Sequence, residues 1–265
     1  MYTPITILSL ALGLAAAAPT NTYPTDKANT TVPSVTATYT PASSSPPPAV
    51  CPPKASSKDF ALYEKLTSAP NAVIRQSLLS DADFVFDFKS ECDTKGFVAS
   101  GKGGEVVRAD RASFPALVGQ GGSVAIGFLG PCGFNTPHVH PRAAELNLVV
   151  EGELFASVTA ENGARHMSHT LKQWQMTVFP AGSMHTEFNP LCTPSTFIAS
   201  FPHEDPGVGQ IAQEFFGLEN EIVKGSVGGE LSVDGADIDK FRTLIPANVA
   251  AGVDSCLIKC GISKR

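Results

Sequence analysis

The stretch whose reading decides the fold is GFNTPHVHPRAAELNLVVEGELFASVT, residues 133–159. In its second half, residues 145–150 and 154–159 interleave apolar and polar side chains at the period of a half-buried strand, and Glu151-Gly152 between them reads as a hairpin turn. Its first half carries His138-Val139-His140. Side chains two apart on a strand share a face, so both imidazoles can address one ion. Glu145 stands five residues beyond His140, an offset that puts it on the opposite face of an unbroken strand. Pro141 interrupts the ladder, and a bend there returns Glu145 to the side of the histidines.

Outward from this stretch, further strands are predicted over 123–129, 165–171, 175–179, 185–188 and 196–201, with Asn162-Gly163 as a second hairpin turn. Short strands separated by Gly, Pro and Asn make an all-β sandwich or barrel. After Pro206 the period becomes helical. Ile211, Phe215 and Phe216 predict one helix over 209–216, and Ile238, Phe241, Leu244 and Ile245 a second over 238–251, kinked or divided at Pro246. Residues 58–265 thus read as a single β-domain with helices appended at its C-terminal end.

The segment ahead of it differs in kind. Residues 5–18 are apolar and end in four alanines, with small residues at −1 and −3 of a cut after Ala18, which reads as a secretory signal peptide over 1–18. Residues 19–57 hold 9 Pro and 14 Ser or Thr, too little apolar surface to offset the entropy of ordering them. They read as a disordered, O-glycosylated stalk, and Asn29-Thr30-Thr31 within it is an N-glycosylation sequon. The address is extracellular or cell wall.

Composition excludes several classes. The 265 residues carry 19 Lys+Arg against 25 Asp+Glu without a basic cluster, so nucleic-acid binding has no electrostatic footprint. A single apolar run of 14 residues is too short for a membrane span of about 20. No Gly-x-Ser-x-Gly elbow and no Gly-rich strand-to-helix loop are present, which removes serine hydrolases and phosphate-cradling enzymes.

His185 follows Pro180-Ala181-Gly182-Ser183-Met184, a tight turn that opens a strand and can deliver a further ligand beside His138, His140 and Glu145. Three neutral imidazoles and one carboxylate form a mixed N/O set suited to Mn(II) or Fe(II), six-coordinate with two positions open. His166 and His169, three apart, fall on opposite strand faces and read as exposed or hydrogen-bonded, and His203 as structural. Trp174 reads as packing at a barrel end, and Phe155, Phe179, Phe188 and Phe197 as core or interface. Six cysteines in a secreted chain form disulfides, with fifteen pairings open. If the histidines meet at one metal, Cys132 and Cys192 become neighbours. Cys256 and Cys260 then pair only if a helix end loosens, and Cys51 is left to Cys92.

The segment from Gly133 to Glu145, followed by Gly152, resembles the first box of the germins in the cupin superfamily, and Pro180-x-Gly182-x-x-His185-x-x-x-Asn189 resembles the second. The likeness extends over roughly residues 80–265 and is nearest to the spherulin-like germins of fungi and slime moulds. It implies a cupin jelly-roll β-barrel with C-terminal α-helices, holding Mn(2+), or Fe(2+) as the alternative, through His138, His140, Glu145 and His185. It also implies a secreted homo-oligomer joined through the C-terminal helices, with a small-molecule ligand at the metal and oxalate oxidase or superoxide dismutase activity. Of two asparagines that face the substrate in oxalate-oxidising germins, one is matched by Asn135, which would orient what binds the open positions; the other falls on Ala125. Cys132 and Trp174 stand where the boxes usually carry Gly. Two functions follow as expectations: an oxidoreductase acting on superoxide or a small carboxylate such as oxalate, or a non-catalytic, metal-stabilised cell-wall, spore-coat or storage protein.

Overall fold

Period-two alternation gives each strand one apolar face, and burying those faces requires two sheets to close on each other. The structure, a computed structural model, describes residues 59–89, 98–228 and 243–263, all within one unit, Pro47–Arg265. Residues 1–57, read above as a signal peptide and a stalk, lie outside the described residues, as do Cys51 and Cys92.

Two helices come first, α1 (Phe60–Ser68) and α2 (Ala72–Ser77). Next are β1 (Val98–Gly101), β2 (Gly104–Ala109), β3 (Ser123–Leu129), β4 (Gly133–Val139), β5 (Glu145–Glu151) and β6 (Glu153–Thr159). They continue as β7 (Met167–Lys172), β8 (Met176–Phe179), β9 (Met184–Phe188), β10 (Ser195–Phe201) and β11 (Gly209–Gln210). Short elements close the described chain: α3 (Ile211–Phe215), α4 (Asn220–Ser226), β12 (Ala250–Ala251) and α5 (Asp254–Cys260).

One sheet runs β1-β2-β3-β10-β5-β8 and the other β11-β4-β9-β6-β7, with β12 also on β4, and every pair is antiparallel. Leu129, Val149, Phe179 and Phe197 of the first sheet meet Leu154, Ala156 and Val158 of the second in one core. Each large side chain so buried contributes about 1.5–3 kcal/mol. Gly127 leaves room for this packing, because a Cβ there would lie 2.1 Å from the Phe197 ring. This is the all-β jelly roll expected.

Several expectations are corrected. Asn162-Gly163 joins paired strands β6 and β7, but β5 and β6 belong to different sheets, so Glu151-Gly152 is a corner between sheets and not a hairpin. Gly152 makes that corner at φ 75°, where a Cβ would crowd Pro194 and Ser195. The helix over 209–216 forms only from Ile211, its first two residues pairing with β4 as β11. Of the helix over 238–251, residues 238–242 lie outside the described residues, and the remainder is turn and extended chain ending in β12. Pro246 removes a helix hydrogen bond, and pairing with Gly133 and Phe134 offers Ala250 and Ala251 a better use of their backbone.

Cys132 pairs with Cys256 and Cys192 with Cys260, two of the pairings that the sequence leaves open. Cys132 and Cys192 are neighbours as expected, since Cys132 Sγ lies 3.6 Å from the Sγ of Cys260, to which Cys192 is bonded. An intact α5 keeps Cys256 and Cys260 one turn apart, so each reaches a different strand connection.

Trp174 does not pack at a barrel end: it is 70% exposed, at φ 67°, in the tight connection from β7 to β8. A left-handed backbone costs an L-residue about 1–2 kcal/mol, and no burial offsets it here. Trp174→Gly is therefore expected to raise the unfolding free energy by about 1 kcal/mol, read as a shift of about 2–4 °C in melting temperature.

Candidate metal centre

The centre is assembled by three local devices. On the paired strands β4 and β9, His138 lies opposite His185, which brings their rings to 4.2 Å between centroids. A bulge between Asn135 and His138 is the second device. Three residues apart, these two would point to opposite faces of a regular strand. The extra residue, beside Pro137, turns both inward, and Asn135 Nδ2 comes within 3.3 Å of His138 Nε2.

The third device corrects the bend expected at Pro141. After His140 the chain leaves one sheet and enters the other, so Glu145 faces the histidines across the barrel from the start of β5. Strand parity does not operate across that crossing. Gly182 N donates to His140 O at 2.9 Å, which anchors the corner.

The ligating atoms offered by His138, His140, Glu145 and His185 all lie within 4.8 Å of one another, and all four residues are buried. His140 Nε2 and His185 Nε2 are 3.1 and 3.2 Å from Glu145 Oε2. Each imidazole is oriented from behind: His138 Nδ1 donates to Thr136 O at 2.9 Å, His185 Nδ1 to Ser183 O at 2.8 Å, and His140 Nδ1 to Gly207 O. Because those partners are carbonyls, the proton sits on Nδ1 and the Nε2 lone pairs converge. Phe179 stacks on the His185 ring at 4.3 Å.

The charge states match. Burial, reinforced by neighbouring His185, lowers the His138 pKa to about 3, so its ring is neutral. Burial alone would raise Glu145, but the contacts of its Oε2 with the His140 and His185 rings, at 3.1 and 3.2 Å, outweigh it and hold the carboxyl below the usual range. A neutral imidazole, as at His138, and an ionised carboxylate, as at Glu145, are forms that ligate a divalent first-row metal, so the donor set fits such an ion.

Around this cluster stand residues the sequence reading missed. Glu187 is fully buried, accepts from Asn135 Nδ2 at 3.1 Å, and is raised well above the usual carboxyl range by burial and then by Glu145. Asn147 Nδ2 donates to Glu145 Oε1 at 2.9 Å. Both had a signal available, because they sit two residues from His185 and Glu145 on the same strand face. Asn248 had none. Its Nδ2 donates to Asn135 Oδ1 at 2.7 Å while its Oδ1 accepts from Thr136 N at 2.8 Å, tying the C-terminal segment to the site.

A cavity of about 210 Å³ opens onto the cluster, lined by Ala125, Asn135, His138, His140, Glu145 and Asn248 among others. Volumes of about 300–1,000 Å³ are usual for drug-sized ligands, so this one suits a small metabolite. His166, bonded to Ser157 and Thr159, and His203, bonded to Asp205 N, stand apart from the cluster, as expected. His169, on β7 opposite Ala156 of β6, is also outside it, but its Nε2 is buried without a hydrogen-bond partner, which departs from the exposed or hydrogen-bonded side chain expected. Among the described residues no helix is long and apolar enough to cross a membrane.

Comparison with known proteins places these features in context. Residues 90–239 match the family described as Cupin. Spherulin-1A of Physarum polycephalum is 39% identical over 203 residues, covering 76% of this chain and 80% of that one. Germin-like protein 3-5 of Oryza sativa subsp. japonica is 32% identical over 161 residues, covering 60% and 71%. A solved recombinant oxalate oxidase in complex with glycolate superimposes with a TM-score of 0.51 at 23% identity, over 62% of this chain and 83% of that one, a likeness of fold.

Proposed function

Because this chain belongs to the cupin family, as a germin-like member, we propose that it is a secreted Mn(II)-dependent oxidoreductase acting on superoxide or a small carboxylate such as oxalate. The observation that carries the reading is the convergence of three imidazole Nε2 atoms and Glu145 at the inner end of a metabolite-sized cavity. Metal held by His138, His140, Glu145 and His185 would supply redox cycling and open coordination positions. The protein's part is to bind and orient. Asn135 has its amide direction fixed from both ends, by Asn248 donating to Oδ1 and by Glu187 accepting from Nδ2, so it offers an N–H beside His138 Nε2. Phe197 and Phe201 add apolar surface to the cavity, Phe201 with its ring 4.6 Å from that of His140. Export is supported by the apolar run 5–18 and the stalk 19–57, and assembly through the C-terminal helices and cell-wall association by the germin resemblance.

A second reading, a non-catalytic protein that uses metal to lock its barrel, draws on the wall itself. Ala125 and Ala199 there donate no hydrogen bond to a bound acid. Metal analysis of the natively secreted protein, followed by paired assays of superoxide dismutation and of hydrogen peroxide from oxalate, separates the two. Close to one Mn per chain with either activity is expected, and Asn135→Ala should keep the metal while turnover falls by about tenfold or more. Metal without either activity favours the locking role, and no metal sinks both.

A further inference from the structure

We propose that Arg108 makes the outer part of the same cavity an anion subsite, so that the ligand is a small dicarboxylate with a two- or three-carbon spacer rather than oxalate. The proposal rests on the metal reading above. Arg108 is the one Lys or Arg among the described residues lining the cavity. It sits on β2 directly opposite Ala125 of β3; Ala125 is opposite Ala199 of β10, and Ala199 opposite Asn147 of β5. Paired residues in antiparallel strands share a face, so one inward row runs from the guanidinium to the side chain that holds Glu145, with two methyl groups between.

The row also sets a length. Three strand spacings of about 4.8 Å, roughly 14 Å in all, separate the Arg108 and Asn147 backbones. The two adjoining carboxyls of oxalate cannot engage both ends of such a row, whereas a spacer of two or three carbons carries the second carboxylate out toward the guanidinium. Val106, Phe197 and Phe201 also line the cavity and suit methylenes.

The guanidinium is placed by an ion pair with Asp110, which also lines the cavity; the other aspartate of the lining, Asp205, is paired with Arg142. Arg108 Nε lies 3.2 Å from Asp110 Oδ2, yet this buried Nε makes no hydrogen bond, and the side chain stays 41% exposed. Asp110 is itself held by a turn, its Oδ1 accepting from Ala112 N at 2.8 Å and Ser113 N at 3.0 Å. It fixes the arginine stem while leaving donors for an incoming carboxylate.

The test uses the full secreted chain loaded with Mn(II), titrated calorimetrically with succinate, oxalate and butyrate while the Mn(II) electron paramagnetic resonance spectrum reports ligation. Succinate should bind at least about tenfold tighter than butyrate, and Arg108→Gln should abolish that preference while leaving butyrate binding and Mn content unchanged. Asp110→Asn keeps the turn's acceptor but releases the guanidinium, so succinate affinity should rise. This variant decides the matter if Arg108→Gln does not fold. Equal affinity for succinate and butyrate, or unchanged preference in Arg108→Gln, or unchanged succinate affinity in Asp110→Asn, overturns the subsite while leaving the metal reading intact. A chain that binds no Mn overturns both.

Discussion

A His140→Ala chain is expected to purify without metal and to gain no thermal stability when Mn(II) is added. His140 lies just beyond β4, and its Nδ1 is braced by Gly207 O. Removing it takes away one of four convergent donors, so the loss should exceed the 10–100-fold that supporting residues alone usually cost in metal affinity. A second effect follows in the metal-free state. His140 Nε2 and His185 Nε2 both contact Glu145 Oε2 and keep that buried carboxyl ionised, so the variant leaves Oε2 with one imidazole partner and Oε1 with Asn147. Its apo form should therefore melt below the apo form of the natural chain. Metal analysis and thermal scans with and without Mn(II) check both statements. Addition of metal at 100 times its dissociation constant stabilises the natural chain by about 2.7 kcal/mol, and an equal gain in the variant would sink the ligand assignment.

How much of this centre the sequence disclosed depends on which geometry each residue obeys. His138 and His140 follow the two-residue period, and that period makes them legible. Glu145 was expected at the site for the wrong physical reason, since a change of sheet, and not a bend at Pro141, brings it there. Asn135 enters through a bulge that no alternation pattern announces, apart from the proline beside it. Asn248 reaches the site from 113 residues away by tertiary packing alone, a placement that no local pattern encodes. The strands over 123–129 and 196–201 were legible because both faces of each strand are determined, one by the core and the other by solvent or covering chain. The C-terminal helix over 238–251 was not, because its apolar spacing is outweighed beyond residue 242 by Pro246 and by the β12 pairing. The two positions where Gly was usual, Cys132 and Trp174, both adopt positive φ, so the departure from the motif marked real left-handed turns.

Cys132 joins that backbone strain to the second large effect expected. Replacing Cys132 and Cys256 together by Ala should lower the unfolding free energy by about 3–4 kcal/mol. The bridge joins residues 124 apart, but with Cys192–Cys260 intact the shortest covalent loop it closes is about 65 residues, for which chain entropy alone gives about 4 kcal/mol. Both sulfurs are buried with Leu257 against Phe188, so repacking adds to the loss. Cys132 sits at φ 57°, and Ala retains the cost of that conformation while Gly relieves it. A Cys132→Gly, Cys256→Ala chain should therefore keep about 1 kcal/mol more than the double-alanine chain, although it fills less space. Urea denaturation of the two double variants, with the natural chain before and after reduction by dithiothreitol, measures each quantity. The tether also bears on the site, because α5 and β12 carry the segment that presents Asn248 to Asn135. Release of Cys256 should accordingly weaken ligand binding at the metal more than binding of the metal itself. A stability loss under about 1 kcal/mol would mean that the β12 pairing and the core contact of Val249 hold this segment without the bridge.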